Sequence, residues 1–179
     1  MSTNEQPYRG DVSEAIDVFR RRARTAGIPC GMVLAGQDET GAVRAYAAAH
    51  PPITVPGGAV SVPVLFARVP GSATAPSLTA ALLGALATPT ARRLTSAGEL
   101  QRLIATLHDR AVELIILDKA ENLKSGIGGP RSDVCVAWLK LLVKATRIPF
   151  VLAGTVAGLE GLLHHDTHLS RLFQVHARL

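Results

Sequence analysis

Aromatic residues and cysteines are both scarce in this chain. Phenylalanine, tryptophan and tyrosine make up 4% of the 179 residues, so a hydrophobic core has to be built from aliphatic side chains. The two cysteines, Cys30 and Cys135, match no metal or redox motif, and a disulfide framework is not expected in a domain of this size. No segment reaches the roughly 18 consecutive apolar residues of a membrane span, and the polar N-terminus lacks the apolar core of a signal peptide. We therefore expect a soluble, cytoplasmic protein with no membrane partner.

The composition that remains is typical of a globular α/β protein. Hydrophobic residues make up 47% and charged residues 18% of the chain, which excludes an intrinsically disordered protein. Short apolar runs predict buried strands, and the Ala/Leu-rich segments between them predict helices. Strands that alternate with helices indicate a parallel sheet covered on both faces. The predicted strands are GMVLAG (31–36), VSVPVLFARV (60–69), ELIILD (113–118), IPFVLAGT (148–155) and the segment RLFQVHARL at the end.

The chain is expected to consist of a short tail and one domain. Residues 1–11 are polar and predict a flexible tail. Residues 12–179 are enough to bury a sizeable core, so they predict a single α/β domain.

The segment GQDETGAV, residues 36–43, has the glycine spacing of a phosphate-binding loop. In the motif G-x-x-x-x-G-K-[ST], backbone N–H groups cradle phosphates, the lysine reaches the β and γ phosphates, and the hydroxyl holds Mg²⁺. Gly36 and Gly41 match the two glycines, but Ala42 and Val43 stand where the lysine and the hydroxyl residue belong. Two glycines at this spacing also occur by chance. Ligands of parallel sheets bind outside the carboxyl ends of strands, so we expect a loop over residues 37–40 that converges with Asp118.

The order of these segments resembles the AAA+ ATPases of bacterial transposition, the TniB and TnsC group. The resemblance covers most of the chain, from Val12 to Leu179, and depends most on LIILDKAENL and RIPFVLAGT. These two segments are similar to the Walker B and sensor 1 segments of that family and occur in the same order. The resemblance implies a P-loop NTPase (AAA+-like) three-layer sandwich with a parallel sheet of about five strands. The C-terminal helical lid that usually follows in AAA+ proteins is expected to be missing.

The resemblance also implies roles for individual positions. Asp118 matches the Walker B acid that helps to hold Mg²⁺, whereas Lys119 stands where a catalytic glutamate would polarise the attacking water. Thr155 matches the polar sensor 1 residue. Arg171 lies where an arginine finger would project into a neighbouring subunit.

Four departures from the family pattern argue against ATP hydrolysis. The missing lysine removes charge-assisted hydrogen bonds to phosphate, each worth on the order of 1.5 to 3 kcal/mol, and the missing hydroxyl removes a Mg²⁺ ligand. Asp38 and Glu39 place carboxylates beside the expected phosphates, and Lys119 cannot act as a base. The sequence therefore predicts a non-catalytic AAA+-like protein that needs no cofactor. The resemblance implies three classes of partner: transposition proteins, nonspecifically bound DNA and further copies of the chain.

Two other interpretations stay open. In the first, the chain is an unconventional ATP-binding protein or slow ATPase, in which Asp118 holds Mg²⁺, Lys119 replaces the missing lysine, and Arg171 acts in a neighbouring subunit. In the second, it is a decayed remnant of a mobile element with no selected activity.

Basic residues and histidines provide further candidate sites. The net charge of +5 permits nucleic acid as a partner. His164 and His168 have the i, i+4 spacing of a metal pair on a helix, although a polar surface turn explains them equally well. Cys135 is expected to be a small core residue. A phosphate-backbone surface, or simply a solvated helix face, is predicted for the segment FRRRARTAG (19–27) with Lys124, Arg131, Lys140, Lys144 and Arg147.

Overall fold

Helices and strands alternate along the chain, as the sequence predicts. The computed structural model describes residues 11–87, 96–124 and 130–178, so residues 1–10 of the predicted tail lie outside the described residues. None of the described helices is long and apolar enough to cross a bilayer. The elements are α1 (Val12–Ala26), β1 (Gly31–Ala35), α2 (Glu39–Ala48), β2 (Ile53–Thr54), β3 (Val60–Ser61), β4 (Val64–Arg68), α3 (Ala75–Ala85), α4 (Ser96–Asp109), β5 (Leu114–Asp118), a 3₁₀ helix (Ala120–Lys124), α5 (Pro130–Thr146), β6 (Phe150–Gly154), α6 (Val156–His165), α7 (Thr167–Leu172) and β7 (Val175–Arg178).

Five parallel strands form the central sheet, in the order β4-β5-β6-β1-β7. Because the strands run in the same direction, their carboxyl ends share one edge of the sheet. The register places Asp118 opposite Arg68 on one side and Ala153 on the other, while Ala35 pairs with Gly154. This arrangement confirms the predicted sheet and identifies the edge at which a ligand site is expected.

Aliphatic side chains cover both faces of the sheet. Every residue of β1, β5 and β6 is buried, which is typical of parallel strands with helices on both sides. Helices α1 and α2 pack on one face, and α3 to α7 pack on the other. Representative members of the two clusters are Ile16, Phe19, Val43, Tyr46, Leu34 and Val151 on the first face, and Leu82, Leu103, Leu139, Leu159, Val33 and Leu152 on the second.

The segment predicted as one strand over residues 60–69 is divided in two. Residues Val60–Ser61 form β3, which pairs antiparallel with β2 in a separate two-stranded sheet. The central-sheet strand β4 begins only at Val64. Pro63 has no N–H to donate, and its carbonyl accepts instead from the backbone N–H of Leu114 at 3.1 Å. The prediction of a continuous strand is therefore wrong at its start.

Gly31 opens β1 directly against the ring of Phe173. A Cβ atom placed at Gly31 would lie 2.1 Å from Cε1 of Phe173, whose side chain is fully buried. We expect Gly31→Ala to lower the free energy of unfolding by about 1 to 3 kcal/mol, because the core would be overpacked. Urea denaturation measures this change.

Gly84 offers the matched control, since it is exposed within α3 and a Cβ there meets no atom within 4 Å. Gly84→Ala should raise the free energy of unfolding by roughly 0.5 to 1 kcal/mol, because alanine loses less entropy in a helix. Equal unfolding midpoints for the two variants would contradict the packing of Phe173 on Gly31.

Candidate functional site

A charged cluster lies at the carboxyl ends of β1, β4 and β5. It contains Glu39 and Thr40 from the first turn of α2, Arg68 from the end of β4, and Asp118 and Lys119 from the end of β5. The structure thus brings Asp118 together with the segment that follows Gly36, as the sequence led us to expect.

The turn between β1 and α2 is shorter than the phosphate-loop motif requires. Only Gly36, Gln37 and Asp38 separate the strand from the helix, which begins at Glu39. The N–H of Ala42 already donates to the carbonyl of Asp38 at 3.2 Å, so helical hydrogen bonding starts here. A carboxylate in the first turn also interacts favourably with the helix dipole. The predicted loop over residues 37–40 is therefore wrong at its end.

The three positions predicted to complete the phosphate loop all lie inside α2. Val43 is fully buried and packs in the core, so it does not face a ligand. At Gly41, an added Cβ would lie 2.7 Å from Oδ1 of Asp38. The missing side chain of Gly41 makes room for this carboxylate rather than for a phosphate, and Ala42 belongs to the same helical turn.

An ion pair joins the start of α2 to the end of β5. Nζ of Lys119 donates to Oε1 of Glu39 at 2.8 Å; the Glu39 side chain is 2% exposed and that of Lys119 is 27% exposed. The hydrogen bond to Glu39 raises the pKa of Lys119, although partial burial opposes the shift. Lys119 also has a φ of 57°, in the left-handed region, which costs most residues roughly 1 to 2 kcal/mol. The ion pair offsets this backbone strain.

Asp118 is fully buried beside this pair. The hydroxyl of Thr40 donates to its Oδ1 at 2.8 Å. Its Oδ2 has no hydrogen-bond partner among the described residues, and Nε of Arg68 lies 3.9 Å away. A buried polar atom without a partner costs on the order of 1 to 3 kcal/mol. Thr40 therefore gives Asp118 a neighbouring hydroxyl, which the glycine spacing would place at Val43.

The sensor 1 segment lies against Glu121, a half-buried residue whose Oε2 atom is buried. Thr155 caps α6, because its hydroxyl accepts from the N–H of Gly158 at 3.3 Å. A Cβ placed at Gly154 would lie 2.1 Å from Oε2 of Glu121, and this oxygen has no partner within the described part of the chain. The negative charge of Glu121 also contributes to the raised pKa of Lys119. Glu121 was not predicted as a site residue, and its only signal in the sequence is its position in LIILDKAENL.

Other predicted site residues lie away from the cluster. Arg171 is an exposed residue of α7, and His164 and His168 are exposed near the turn between α6 and α7. Asp166 caps α7 by accepting from the N–H groups of His168 and Leu169. No group of three or more metal-ligating side chains forms within residues 11–87, 96–124 and 130–178. Cys135 is a buried core residue.

Several of the predicted DNA-contacting cations are held in intramolecular pairs. Arg20 and Arg24 both bind the carboxylate of Glu113. Lys140 binds Asp166 at 2.5 Å; burial opposes the shift, but this contact lowers the pKa of Asp166. The side chain of Arg131 lies outside the described residues. The cations of the predicted surface that are exposed include Arg21, Arg22, Lys144 and Arg147.

Removing the cation of the buried pair should destabilise the fold strongly. Lys119→Met leaves the carboxylate of Glu39 buried and unpaired. We therefore expect the free energy of unfolding to fall by about 3 to 5 kcal/mol at pH 7. A Glu39→Gln, Lys119→Met double variant should recover part of that loss. Urea denaturation of the single and double variants measures both the loss of stability and its partial recovery.

The same pair predicts a dependence of stability on alkaline pH. Because the pKa of Lys119 is raised above 10.5, the stabilisation is complete below that pH and is lost as the pH rises through the raised value. Lys119→Met should lack this decline. Arg178→Met serves as control, since it breaks the exposed pair with Glu160 and should cost at most about 1 kcal/mol. A similar fall in the free energy of unfolding for Lys119→Met and Arg178→Met would contradict the conclusion that Lys119 pairs with a buried carboxylate.

Comparison with solved structures supports the fold. The ORC2 protein of Aeropyrum pernix has a TM-score of 0.65 and 16% identity, with 99% of this chain and 50% of that chain covered. CDC6 of Pyrobaculum aerophilum has a TM-score of 0.63 and 18% identity, with 99% and 46% covered. For a Walker-type ATPase of Pyrococcus abyssi, the TM-score is 0.59 and the identity 13%, with 99% and 57% covered. The chain thus spans about half the length of these structures.

Sequence comparison identifies the family. No curated protein sequence matches the chain at a significant level. The family model described as bacterial TniB protein, however, matches residues 14–178, which is nearly the whole chain. Together with the parallel five-stranded sheet of P-loop AAA+ ATPases, this match confirms the resemblance seen in the sequence. The chain belongs to the transposition-related TniB family and has the AAA+ ATPase fold.

Proposed function

We propose that this chain acts in transposition as an AAA+-fold module that does not hydrolyse ATP. It works through contacts with transposition proteins, with nonspecifically bound DNA or with further copies of itself. The observation that carries the proposal is the buried ion pair between Glu39 and Lys119, at the place where this fold receives phosphates.

The start of α2 indicates which residues correspond to the phosphate-loop lysine and hydroxyl. In a P-loop these two residues follow the glycine-rich turn, at the N-terminus of the helix. Here α2 begins with Glu39 and Thr40. Counted from the helix rather than from Gly36, Glu39 takes the place of the lysine and Thr40 the place of the hydroxyl. The hydrogen bond from Thr40 to Asp118 supports this alignment, because both groups would face the same Mg²⁺.

The alignment implies that two opposite charges have exchanged places. Glu39 stands at the lysine position of the loop, and Lys119 stands at the glutamate position after the Walker B acid. The pair remains attractive, but a carboxylate now occupies the positive end of α2, where a phosphate would bind. Two like unit charges 4 Å apart repel by about 4 kcal/mol at an effective dielectric constant of about 20. The residues present therefore do not fit a nucleoside triphosphate.

The exchange also argues against a decayed remnant. If only Glu39 or only Lys119 had changed, the buried carboxylate or its neighbour would have lost its partner, at a cost of about 3 to 5 kcal/mol. Both positions instead carry charges that match. A matched, buried pair is what selection for a stable fold would keep. Contacts with DNA remain open to the exposed cations Arg21, Arg22, Lys144 and Arg147.

A second candidate function rests on Oδ2 of Asp118, which has no hydrogen-bond partner in the described part of the chain. This oxygen and the hydroxyl of Thr40 are hard donors of the kind that Mg²⁺ prefers. An unconventional ATP-binding protein would use them to hold the metal. Mg²⁺-dependent ATP turnover that disappears in Asp118→Ala would support this function, whereas no turnover in the presence of DNA would count against it.

Calorimetric titration with ATP and with ADP, each with Mg²⁺, tests the proposal. We expect no saturable binding by the natural protein. The double variant Glu39→Lys, Lys119→Glu should gain binding, because it returns a cation to the helix start and keeps the ion pair. Micromolar ATP binding by the natural protein would contradict the proposal.

The matched control changes the positions counted from Gly36. Ala42→Lys, Val43→Thr adds a lysine and a hydroxyl within α2, where Val43 is buried in the core, so it should gain no ATP binding. ATP binding by this control but not by the double variant would show that the alignment from Gly36 is the correct one.

A further inference from the structure

Three helices end at the amino edge of the sheet, opposite to the edge that carries the cluster at Glu39. Helices α1, α4 and α5 lead directly into β1, β5 and β6, so their C-termini lie beside the starts of these strands. A contact supports this placement, because Arg24 of α1 binds Glu113, the residue before β5. Cations are favoured near the C-terminus of a helix, so positive charge is expected to collect at this edge.

Four exposed cations lie at the amino edge without a charged partner. They are Arg21 and Arg22 of α1, Lys144 of α5, and Arg147, which directly follows α5. We call these four residues the basic edge. None of them forms an ion pair with another residue of the described chain. The nearby acid Glu113 is already shared by Arg20 and Arg24, so positive charge is in excess here.

The backbone of Arg147 is a second, independent observation. Its φ is 55°, and its N–H donates to the carbonyl of Val143 at 3.1 Å, so it ends α5 in the left-handed conformation that glycine usually adopts. Helix α1 ends in this way with Gly27, at a φ of 62°. The strain of an arginine in this conformation exceeds what an exposed cation gains from the helix dipole. No hydrogen bond or ion pair from its side chain to another described residue offsets this strain.

A surplus of exposed cations fits a partner that is dense in negative charge. Duplex DNA carries one charge per about 1.7 Å of its axis. The aromatic side chains of the described residues are buried or half-buried, so the edge offers no ring on which bases of a single strand could stack. We propose that the basic edge binds the phosphate backbone of duplex DNA without sequence preference.

A second copy of the chain fits the basic edge less well. Each copy carries a net charge of +5, which opposes self-association and favours a polyanion. The acids of the chain that could oppose the basic edge collect at the carboxyl edge, where Glu39 and Asp118 are buried. The exposed acids there include Asp11, Glu14 and Asp38, which lie at the starts of α1 and α2 and already interact with the helix dipoles.

The inference rests on the proposed function, because it places the DNA contact named there. The basic edge and the cluster at Glu39 lie at opposite edges of the sheet, so DNA binding should need no ATP. The two proposals therefore fail separately. Calorimetry with ATP tests the absence of nucleotide binding, whereas titration with DNA in the absence of ATP tests the basic edge.

Fluorescence anisotropy with a labelled duplex of unspecified sequence tests the proposal. We expect saturable binding with a micromolar Kd at about 50 mM salt, as for nonspecific DNA contacts at low salt. Contacts from the four cations predict that the logarithm of the binding constant falls with the logarithm of the salt concentration with a slope of roughly −3.6. A duplex of unrelated sequence should bind equally well.

Arg147→Gly separates a role in binding from a role in stability. Glycine relieves the backbone strain, so Tm should rise. The lost phosphate contact should weaken DNA binding about tenfold at about 50 mM salt and make the slope shallower by roughly 0.9. Ala111→Gly is the matched control, since Ala111 follows α4 at the same edge with a φ of 47°. Its Tm should also rise, but its DNA binding should equal that of the natural protein.

Three results would overturn the proposal. The first is no saturable binding up to about 100 μM duplex, or an unchanged DNA affinity in Arg147→Gly. The second is competition by polyglutamate that equals competition by unlabelled duplex at the same total charge, which would favour an acidic protein as the partner. The third is sedimentation that shows a dimer of the natural protein dissociated by Arg147→Gly, which would favour a second copy.

Discussion

The ion pair between Glu39 and Lys119 fixes the start of α2 against the end of β5. Helix α2 packs on the sheet through Val43 and Tyr46, and β5 is buried at every position. The pair therefore connects two elements that the core already holds in place. Because the carboxylate of Glu39 has almost no contact with water, Lys119 cannot be replaced alone by an uncharged residue without leaving a buried charge unpaired. The short turn after β1 and the left-handed backbone of Lys119 both accommodate this contact.

The stability of the ion pair does not depend on which of its two residues is positive, whereas phosphate binding does. Attraction within the pair is the same whichever residue carries the positive charge. A phosphate at the start of α2, however, interacts first with the residue at that end, which here is Glu39. The exchange of charges that we propose preserves the AAA+ fold and opposes nucleotide binding. On this proposal, a member of the TniB family keeps the sheet and the contact between Thr40 and Asp118 without binding a nucleotide.

The sheet was predictable from the sequence because buried parallel strands form continuous apolar runs, as in residues 114–117 and 150–153. The position of Asp118 at the carboxyl edge followed from strand direction alone. The start of α2 was not predictable, since glycine spacing does not report how many residues the turn contains. The partner of Lys119 was also missed, because the two residues lie 80 positions apart and no local pattern links them. The predicted strand over residues 60–69 began too early, because it ran through Pro63, which has no N–H to donate to a sheet.

Binding of inorganic pyrophosphate to Glu39→Ala tests most directly whether the carboxylate of Glu39 occupies a phosphate position. The variant exposes the N-terminus of α2 beside the ammonium of Lys119, and a ligand that binds the folded state raises Tm. The account predicts that pyrophosphate raises the Tm of Glu39→Ala but leaves the natural protein and the Glu39→Ala, Lys119→Ala double variant unchanged. A Tm that rises equally in all three proteins, or in none of them, would contradict it.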